Sequence, residues 1–388
     1  MKILFAADTS FNYIKNYPGD DKVKSSMSEV SKFFRNADLS IVNLENIMGV
    51  RENYEPIFKC GPNLISEDSF LNYIKELNPT VVGLSNNHTG DYGEDAIFHT
   101  LELLNKNNLP YIGAGKNITD AYKPFVFEKD GIKVGIIAIC ENEFGGAKED
   151  KAGSSAYNLT RLKNELNNLK EQNIKGIVYF HGGNERNPFP SPGKKELYRL
   201  FIDLGASAVV AMHTHCPQGY EMYNGCPIVY SMGNFFFPEE SSDNPNLLPS
   251  WFYGYMVELD FLKDSINLKT IPYTFDFDGI RLLENEELKD FNNYHKYLCD
   301  VIKDDDKLSA YFNAWCIKVC RVGRSSLEFN ESMIKEKNQN VAIARNKFTC
   351  EAHNELWKTY YALCYEERHN DFDDLIKEIE ILQTMKLN

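Results

Sequence analysis

Through the first two thirds of the chain, short apolar runs alternate with amphipathic stretches. The runs are Ile3–Ala7, Leu39–Leu44, Thr80–Leu84, Lys133–Ile139, Gly176–Phe180, Ala206–Met212 and Pro227–Met232. They are rich in Ile and Val and bounded by polar or turn residues, which predicts buried strands. Between them Met27–Asn36, Ser66–Leu77, Asp95–Asn107, Leu159–Gln172 and Pro192–Leu204 carry helical spacing. The last opens on Ser191-Pro192, a capping residue followed by a first-turn proline. Lys129-Asp130-Gly131 separates Pro124–Glu128 from the next run and predicts a hairpin. Alternation of this kind predicts an α/β layered fold whose largely parallel sheet is buried on both faces.

Past Trp251 the pattern changes. Tyr255–Phe261 and Ile266–Phe275 alternate like an antiparallel pair around Lys263-Asp264. After Asp278 there is no proline, and from Glu284 onward no β-type run. The spacing of Leu356, Tyr360 and Leu363, and of Leu375, Ile379 and Leu382, predicts helices packed on something else. The expected division is therefore a domain over 1–278 and a C-terminal helical domain or appendage over 279–388.

Composition adds boundaries. The chain has 388 residues, 43% of them hydrophobic and 25% charged, as in ordinary globular proteins. The net charge of −14 opposes generic binding to nucleic acid or anionic membrane. No run approaches the ~20 apolar residues of a membrane span, and the first run meets Asp8 at once. A soluble, cytoplasmic protein is expected. The nine cysteines are odd in number and contain no C-x-x-C pair, which reads as reduced thiols. Cys316 and Cys320, four apart, read as one packed helix face. In a reducing compartment the N-x-S/T matches at Asn117, Asn158 and Asn330 carry no glycosylation.

The candidate chemistry lies where the runs end. Ile3–Ala7 ends at Asp8, and Leu39–Leu44 at Glu45 with Asn43 inside it. Thr80–Leu84 meets Ser85-Asn86-Asn87-His88, Gly176–Phe180 meets His181, and Ala206–Met212 meets His213-Thr214-His215. In open α/β sheets the ligand site lies outside the carboxyl ends of the strands, so these residues should share one rim. Carboxylate, amide oxygen and imidazole together suit a divalent cation. His213 and His215, two apart in an extended loop, would point to the same side. Each could touch one of two metals about 3.5–4 Å apart, with the two oxygens of Glu45 as bridge. Taken singly, each piece has an ordinary reading: H-x-H can be incidental, His181 a hydrogen-bonded core histidine, Asp8 a cap, Asn86 and Asn87 turn residues. Their joint occurrence favours a metal or catalytic rim. His99, His295, His353 and His369 stand apart from it.

These motifs resemble, in order from Met1 to Phe261, the poly-γ-glutamate capsule-synthesis (CapA-type) family of the calcineurin-like metallophosphoesterase superfamily. The resemblance is carried by Phe5-Ala6-Ala7-Asp8, Val42-Asn43-Leu44-Glu45, Leu84 through Gly93, Gly113 through Asn117, His181 through Glu185, Met212 through His215 and Val229 through Phe235. It implies a four-layer αββα sandwich with a metal rim at its edge and two divalent ions (Mn, Fe, Zn or Mg). It implies Asp8 and His215 as ligands of the first metal, and Asn87, His181 and His213 as ligands of the second. Glu45 is the implied bridge and His88 the implied proton donor or oxyanion stabiliser. Asp91 and Glu185 are implied to orient histidines. The wider pattern places a histidine where Ser10 stands, an aspartate at Glu45, a tryptophan at Gly182 and a glycine at Met212.

The leading functional expectation is a metal-dependent hydrolase of a phosphoester, or of an amide bond. The resemblance links it to capsule or cell-surface polymer metabolism, with a small-molecule or polymer substrate and partner proteins of such a pathway. The alternative is a non-catalytic scaffold with a vestigial metal site; Ser10 favours it and His88 disfavours it. A nucleic-acid phosphodiesterase would need a cationic strip, and no nucleic acid is expected with Arg186, Lys194 and Lys195 the few charges on offer. Gly113-Ala114-Gly115 lacks the rest of a dinucleotide fingerprint and reads as a turn before a helix at Thr119–Tyr122.

Overall fold

The apolar runs become strands of two sheets, in a computed structural model that describes residues 1–239, 247–322 and 338–387. The first sheet has eight strands. Its order is Gly279–Leu282, Ile266–Asp276, Tyr253–Phe261, Lys2–Thr9, Leu39–Leu44, Val81–Gly83 and Tyr111–Ile112, with Asn234–Phe236 also pairing with Lys2–Thr9. Lys2–Thr9, Leu39–Leu44, Val81–Gly83 and Tyr111–Ile112 run parallel. The second sheet has six strands, in the order Tyr220–Tyr223, Cys226–Val229, Ala206–Met212, Lys175–His181, Ile132–Cys140 and Phe125–Lys129. Its four inner strands are parallel, so all the candidate residues emerge at carboxyl ends.

Period-two alternation explains the layering. In the second sheet Ile136, Ala138, Ile177, Tyr179, Ala208 and Val210 face the first sheet and join its core. Their neighbours Ile137, Ile139, Val178, Phe180, Val209 and Ala211 face outward onto Leu162, Leu166, Leu169, Tyr198 and Phe201 of the helices Leu159–Glu171 and Pro192–Asp203. Asp20–Asn36, Leu71–Leu77 and Gly93–Lys106 cover the other side of the first sheet, through Val23, Met27, Val30, Ile74, Ile97 and Leu104. The result is the four-layer αββα sandwich. Buried on both faces, each strand reads as a continuous apolar run.

Local signals act as expected at several places. Ser191 Oγ accepts from Lys194 N at the start of Pro192–Asp203. Asp130 and Gly131, both with positive φ, form the hairpin turn. Asn117 and Asn158 are helix N-caps; Asn330 lies outside the described residues. Gly113–Gly115 leads through Asn117 to a helix at Ile118–Ala121. All nine thiols are free, and Cys316 and Cys320 are both buried on the helix Asp305–Val322.

Two features differ from the sequence reading. The strand Gly279–Leu282 pairs with Ile266–Asp276, so the first sheet continues past residue 278. The amphipathic stretch from Ser66 is helical over Leu71–Leu77, after a short 3-10 turn at Asp68–Phe70. Beyond the sheet, the helices Asn285–Lys303, Asp305–Val322, Gln339–Thr349, Glu351–Tyr365 and Asp373–Thr384 follow. Their Leu298, Val301, Trp315, Leu356, Tyr360 and Ile379 belong to the same apolar core as Ile3 and Phe5.

Candidate metal centre

The rim gathers six residues from five strand ends. Asp8 lies on Lys2–Thr9, and Glu45 directly follows Leu39–Leu44. Asn87 follows Val81–Gly83, His181 closes Lys175–His181, and His213 and His215 follow Ala206–Met212. All six are buried. Glu45, His181 and His213 offer ligand atoms within 4.8 Å of one another, and so do Asp8, Glu45 and His215. Glu45 is thus common to both groups.

Asp8 and His215 are held in place by hydrogen bonds from and to their neighbours. Asn43 Nδ2 donates to Asp8 Oδ1 at 2.8 Å, and His213 N donates to Asp8 Oδ2 at 2.8 Å. His215 Nδ1–H donates to Asn234 Oδ1 at 2.7 Å, which leaves Nε2 facing Glu45 at 3.8 Å. Fixing one imidazole nitrogen with a carbonyl oxygen is how metal-binding histidines are oriented. His181 Nε2 lies 3.2 Å from Glu45 Oε1. Both oxygens of Glu45, Asn87 Oδ1, His181 Nε2 and His213 Nδ1 are buried without hydrogen-bond partners. Buried polar atoms are rarely left so. Their concentration at one rim, with carboxylate, amide and imidazole represented, fits one or more divalent cations.

Charge says the same. Burial first, and Asp8 second, hold the Glu45 carboxyl well above the usual carboxylate range. Burial, with neighbouring histidines adding to it, keeps His213 neutral and well below the ordinary imidazole value. Burial also lowers His181, to about 4. His215 differs: burial lowers it, but Glu45, Glu185 and Asp8 outweigh burial and raise it above the ordinary imidazole value. A cation would displace the protons of Glu45 and His215 and would find His181 and His213 already neutral, the state a ligand requires.

The backbone of the H-x-H loop differs from expectation. It is not extended: φ is 98° at His213 and 53° at His215. The side chains converge on Glu45 through this left-handed path, which is uncommon for non-glycine residues and marks local strain.

His88 and Asp91 stand beside the ligands. His88 Nδ1 is 2.6 Å from Asp91 Oδ2, and Lys59 Nζ is 2.5 Å from Asp91 Oδ1 and 3.2 Å from His88 Nδ1. Burial, reinforced by Lys59, lowers His88 to about 4 despite Asp91. Glu185 meets His213 and His215 with a carboxylate oxygen within 4.8 Å. It thus faces the same imidazoles as Glu45 and is a further candidate ligand, beyond the orienting role read from the sequence.

Several residues of the site were missed in the sequence. Lys59, Glu141 and Glu143 come from loops, and Cys350 and His353 from the C-terminal helices. His353 does not stand apart from the rim: its Nε2 is 3.7 Å from Glu143 Oε1. Glu143 Oε2 accepts from Asn87 Nδ2 at 3.2 Å. The loops carrying them meet backbone to backbone, since a Cβ on Gly90 would lie 2.3 Å from Gly145 Cα. Gly182 is explained likewise. A Cβ there would lie 2.5 Å from Glu141 Cγ, so Glu141 occupies the volume that a tryptophan would take. Lys194 and Lys195 form no cationic strip: both are buried, paired with Glu141 and Asp305.

Several curated relatives align with this chain, two of them CapA proteins of Bacillus. Capsule biosynthesis protein CapA of Bacillus anthracis is 30% identical over 236 residues, covering 58% of this chain and 56% of that protein. PGA biosynthesis protein CapA of Bacillus subtilis (strain 168) is 28% identical over 230 residues, covering 58% and 60%. The chain therefore spans little more than half the length of these relatives. The crystal structure of TT1561 of Thermus thermophilus overlays with a TM-score of 0.36 and 14% identity, covering 69% of this chain and 98% of that one. The model of the bacterial capsule synthesis protein PGA_cap family matches residues 5–239, more than half of the chain and the whole strand-end rim, and the chain belongs to that family.

Proposed function

We propose that this protein is a metal-dependent hydrolase, acting on a phosphoester or an amide bond in the metabolism of a capsular or other cell-surface polymer. The observation that carries the reading is Glu45. Both its oxygens are buried and unpaired, and it is shared between a group with His181 and His213 and a group with Asp8 and His215. One carboxylate between two ligand sets is the donor arrangement of a two-metal site. Divalent ions there would activate water as a nucleophile and polarise the bond attacked. Asp8, Glu45, Asn87, His181, His213 and His215 would hold them. The names of the relatives connect the family to capsule and PGA biosynthesis.

His88 is the proposed general acid. Asp91 accepts from its Nδ1, which fixes the ring and turns Nε2 to the reacting group; because the resting ring is neutral, Nε2 must first take a proton, from the attacking water, before it gives one to the departing group. Lys59 balances the Asp91 carboxylate, so the pair orients His88 without adding net negative charge.

The test combines metal analysis with turnover of a chromogenic phosphodiester and an anilide substrate. Glu45→Gln and His213→Ala should lose metal and activity together. His88→Ala should keep its metal and lose about 10²–10⁴-fold in turnover, the usual worth of a positioned general acid. Metal-loaded protein inert toward both substrate classes would reject catalysis and leave the scaffold reading, which Ser10 favours; turnover unchanged in His88→Ala would reject His88 as the general acid.

A further inference from the structure

We propose that Glu143, Cys350 and His353 form a second, separate cation site, of thiolate–imidazole–carboxylate type and suited to Zn(II), built by the C-terminal helices against the rim. Cys350 Sγ lies 3.5 Å from Glu143 Oε1, and His353 Nε2 lies 3.7 Å from the same oxygen. Ligand atoms of all three are within 4.8 Å of one another. The set mixes a soft, a borderline and a hard donor, the combination that selects zinc-like ions over Mg(II) or Ca(II).

The construction is specific. Cys350 is the N-cap of the helix Glu351–Tyr365, and His353 follows three residues later. The two therefore share one face of its first turn. Burial, with Glu141 and Glu143 adding to it, raises the Cys350 thiol well above its ordinary range, so the thiolate would form only as an ion takes the place of its proton. The helix is pinned there by contacts independent of the cluster. Glu141 Oε1 accepts from Ala352 N at 3.1 Å, and Glu351 accepts from Asn142 N at 3.0 Å. Glu355 accepts from Gly193 N at 2.9 Å and from Ser191 Oγ.

The Cys350 thiol stands between two carboxylates, of which Glu141 is already served by Lys194, Ala352 N and Gly183 N. Cys350 Sγ is 3.5 Å from Glu143 and 3.6 Å from Glu141 Oε2. The thiol proton therefore falls to Glu143, and a dication bound by the thiolate in its place would neutralise the Cys350–Glu143 pair. Cys350 is fully buried while the His353 side chain is 40% exposed, so an ion would enter on the histidine side. Glu143 also faces the rim through Asn87 Nδ2 and lies 4.0 Å from His213 Nε2. An ion here would tie the C-terminal helices to the residues that follow two strand ends. The site stands without the hydrolase reading, because its occupancy is read from the thiolate.

The experiment adds Co(II) chloride to the full chain and follows the near-ultraviolet thiolate-to-cobalt charge-transfer band. Wild-type protein should show the band, and Glu45→Gln, which cripples the strand-end rim, should retain it. Cys350→Ser should lose it, and His353→Asn should weaken the Co(II) affinity behind it by about tenfold or more. His353 is half exposed, so its replacement tests the site even if Cys350→Ser fails to fold. No band in the wild type at excess Co(II), a band that survives Cys350→Ser, or unchanged affinity in His353→Asn overturns the proposal.

Discussion

Asp91 shows how much one buried carboxylate can organise. It accepts from Leu64 N at 2.7 Å, pairs with Lys59 at 2.5 Å and fixes His88 at 2.6 Å, all away from water. Removing one partner of a buried pair leaves the other charge uncompensated, at a cost of roughly 3–5 kcal/mol. Lys59→Met should therefore lower the urea-derived stability by about that amount, and a loss below about 1 kcal/mol would mean that Asp91 is balanced elsewhere. His88 and Asp91 were visible in the sequence because three residues of one loop connect them. Lys59 was not. It sits in an irregular segment with no periodicity, and what brings it to Asp91 is the path of that segment, anchored where Ile57 N donates to Asp91 O.

At the scale of elements, the strand ends were the legible part. A parallel strand buried on both faces is an apolar run, and its carboxyl end is where the run stops; Asp8, Glu45, His181 and His213 followed from that rule. The same rule missed Glu141 and Glu143 because the run was ended at Ile139, whereas the strand extends over Ile132–Cys140. Glu141 is packed against Gly182, and Gly182→Ala should destabilise by about 1–3 kcal/mol through overpacking, read by thermal or urea unfolding. Unchanged stability would show that Glu141 moves aside freely. The helix Asn285–Lys303 carries a second prediction. Its His295 donates to Gln218 O at 3.2 Å and packs 4.5 Å from Tyr255. Burial lowers this imidazole from 6.5 to about 4. Between those values the unfolded chain binds a proton that the folded chain refuses, so stability falls as pH drops through the window. The contribution is roughly 3 kcal/mol when fully developed. Urea unfolding at about pH 7 and about pH 4.5 should show a smaller acid loss in His295→Phe than in wild type; equal losses would place the titration in other groups.

For the whole molecule, the question is whether the C-terminal helices are an attachment or part of the body. Sequence character suggested a change after residue 278, and helical spacing correctly gave helices there. It could not say what they pack on, because spacing identifies an apolar face and not its partner. In the structure Leu298, Val301, Trp315, Leu356 and Ile379 share a core with Ile3, Phe5 and Val257. Gly219 has no room for a Cβ, which would lie 2.7 Å from Cys299 N. Lys195, on the buried face of the helix Pro192–Asp203, finds its countercharge at Asp305. A chain ended after Leu283 would therefore uncover a large apolar face and leave Lys195 without its pair. Exposed apolar surface of that extent drives association in water. Such a truncation should bind a hydrophobic dye strongly, aggregate, and lose the cooperative unfolding of the full chain. A monomeric truncation that unfolds cooperatively at the wild-type midpoint would instead make residues 1–283 self-sufficient, and the contacts of Cys350 and His353 with the rim would then be a docking onto a body already stable without them.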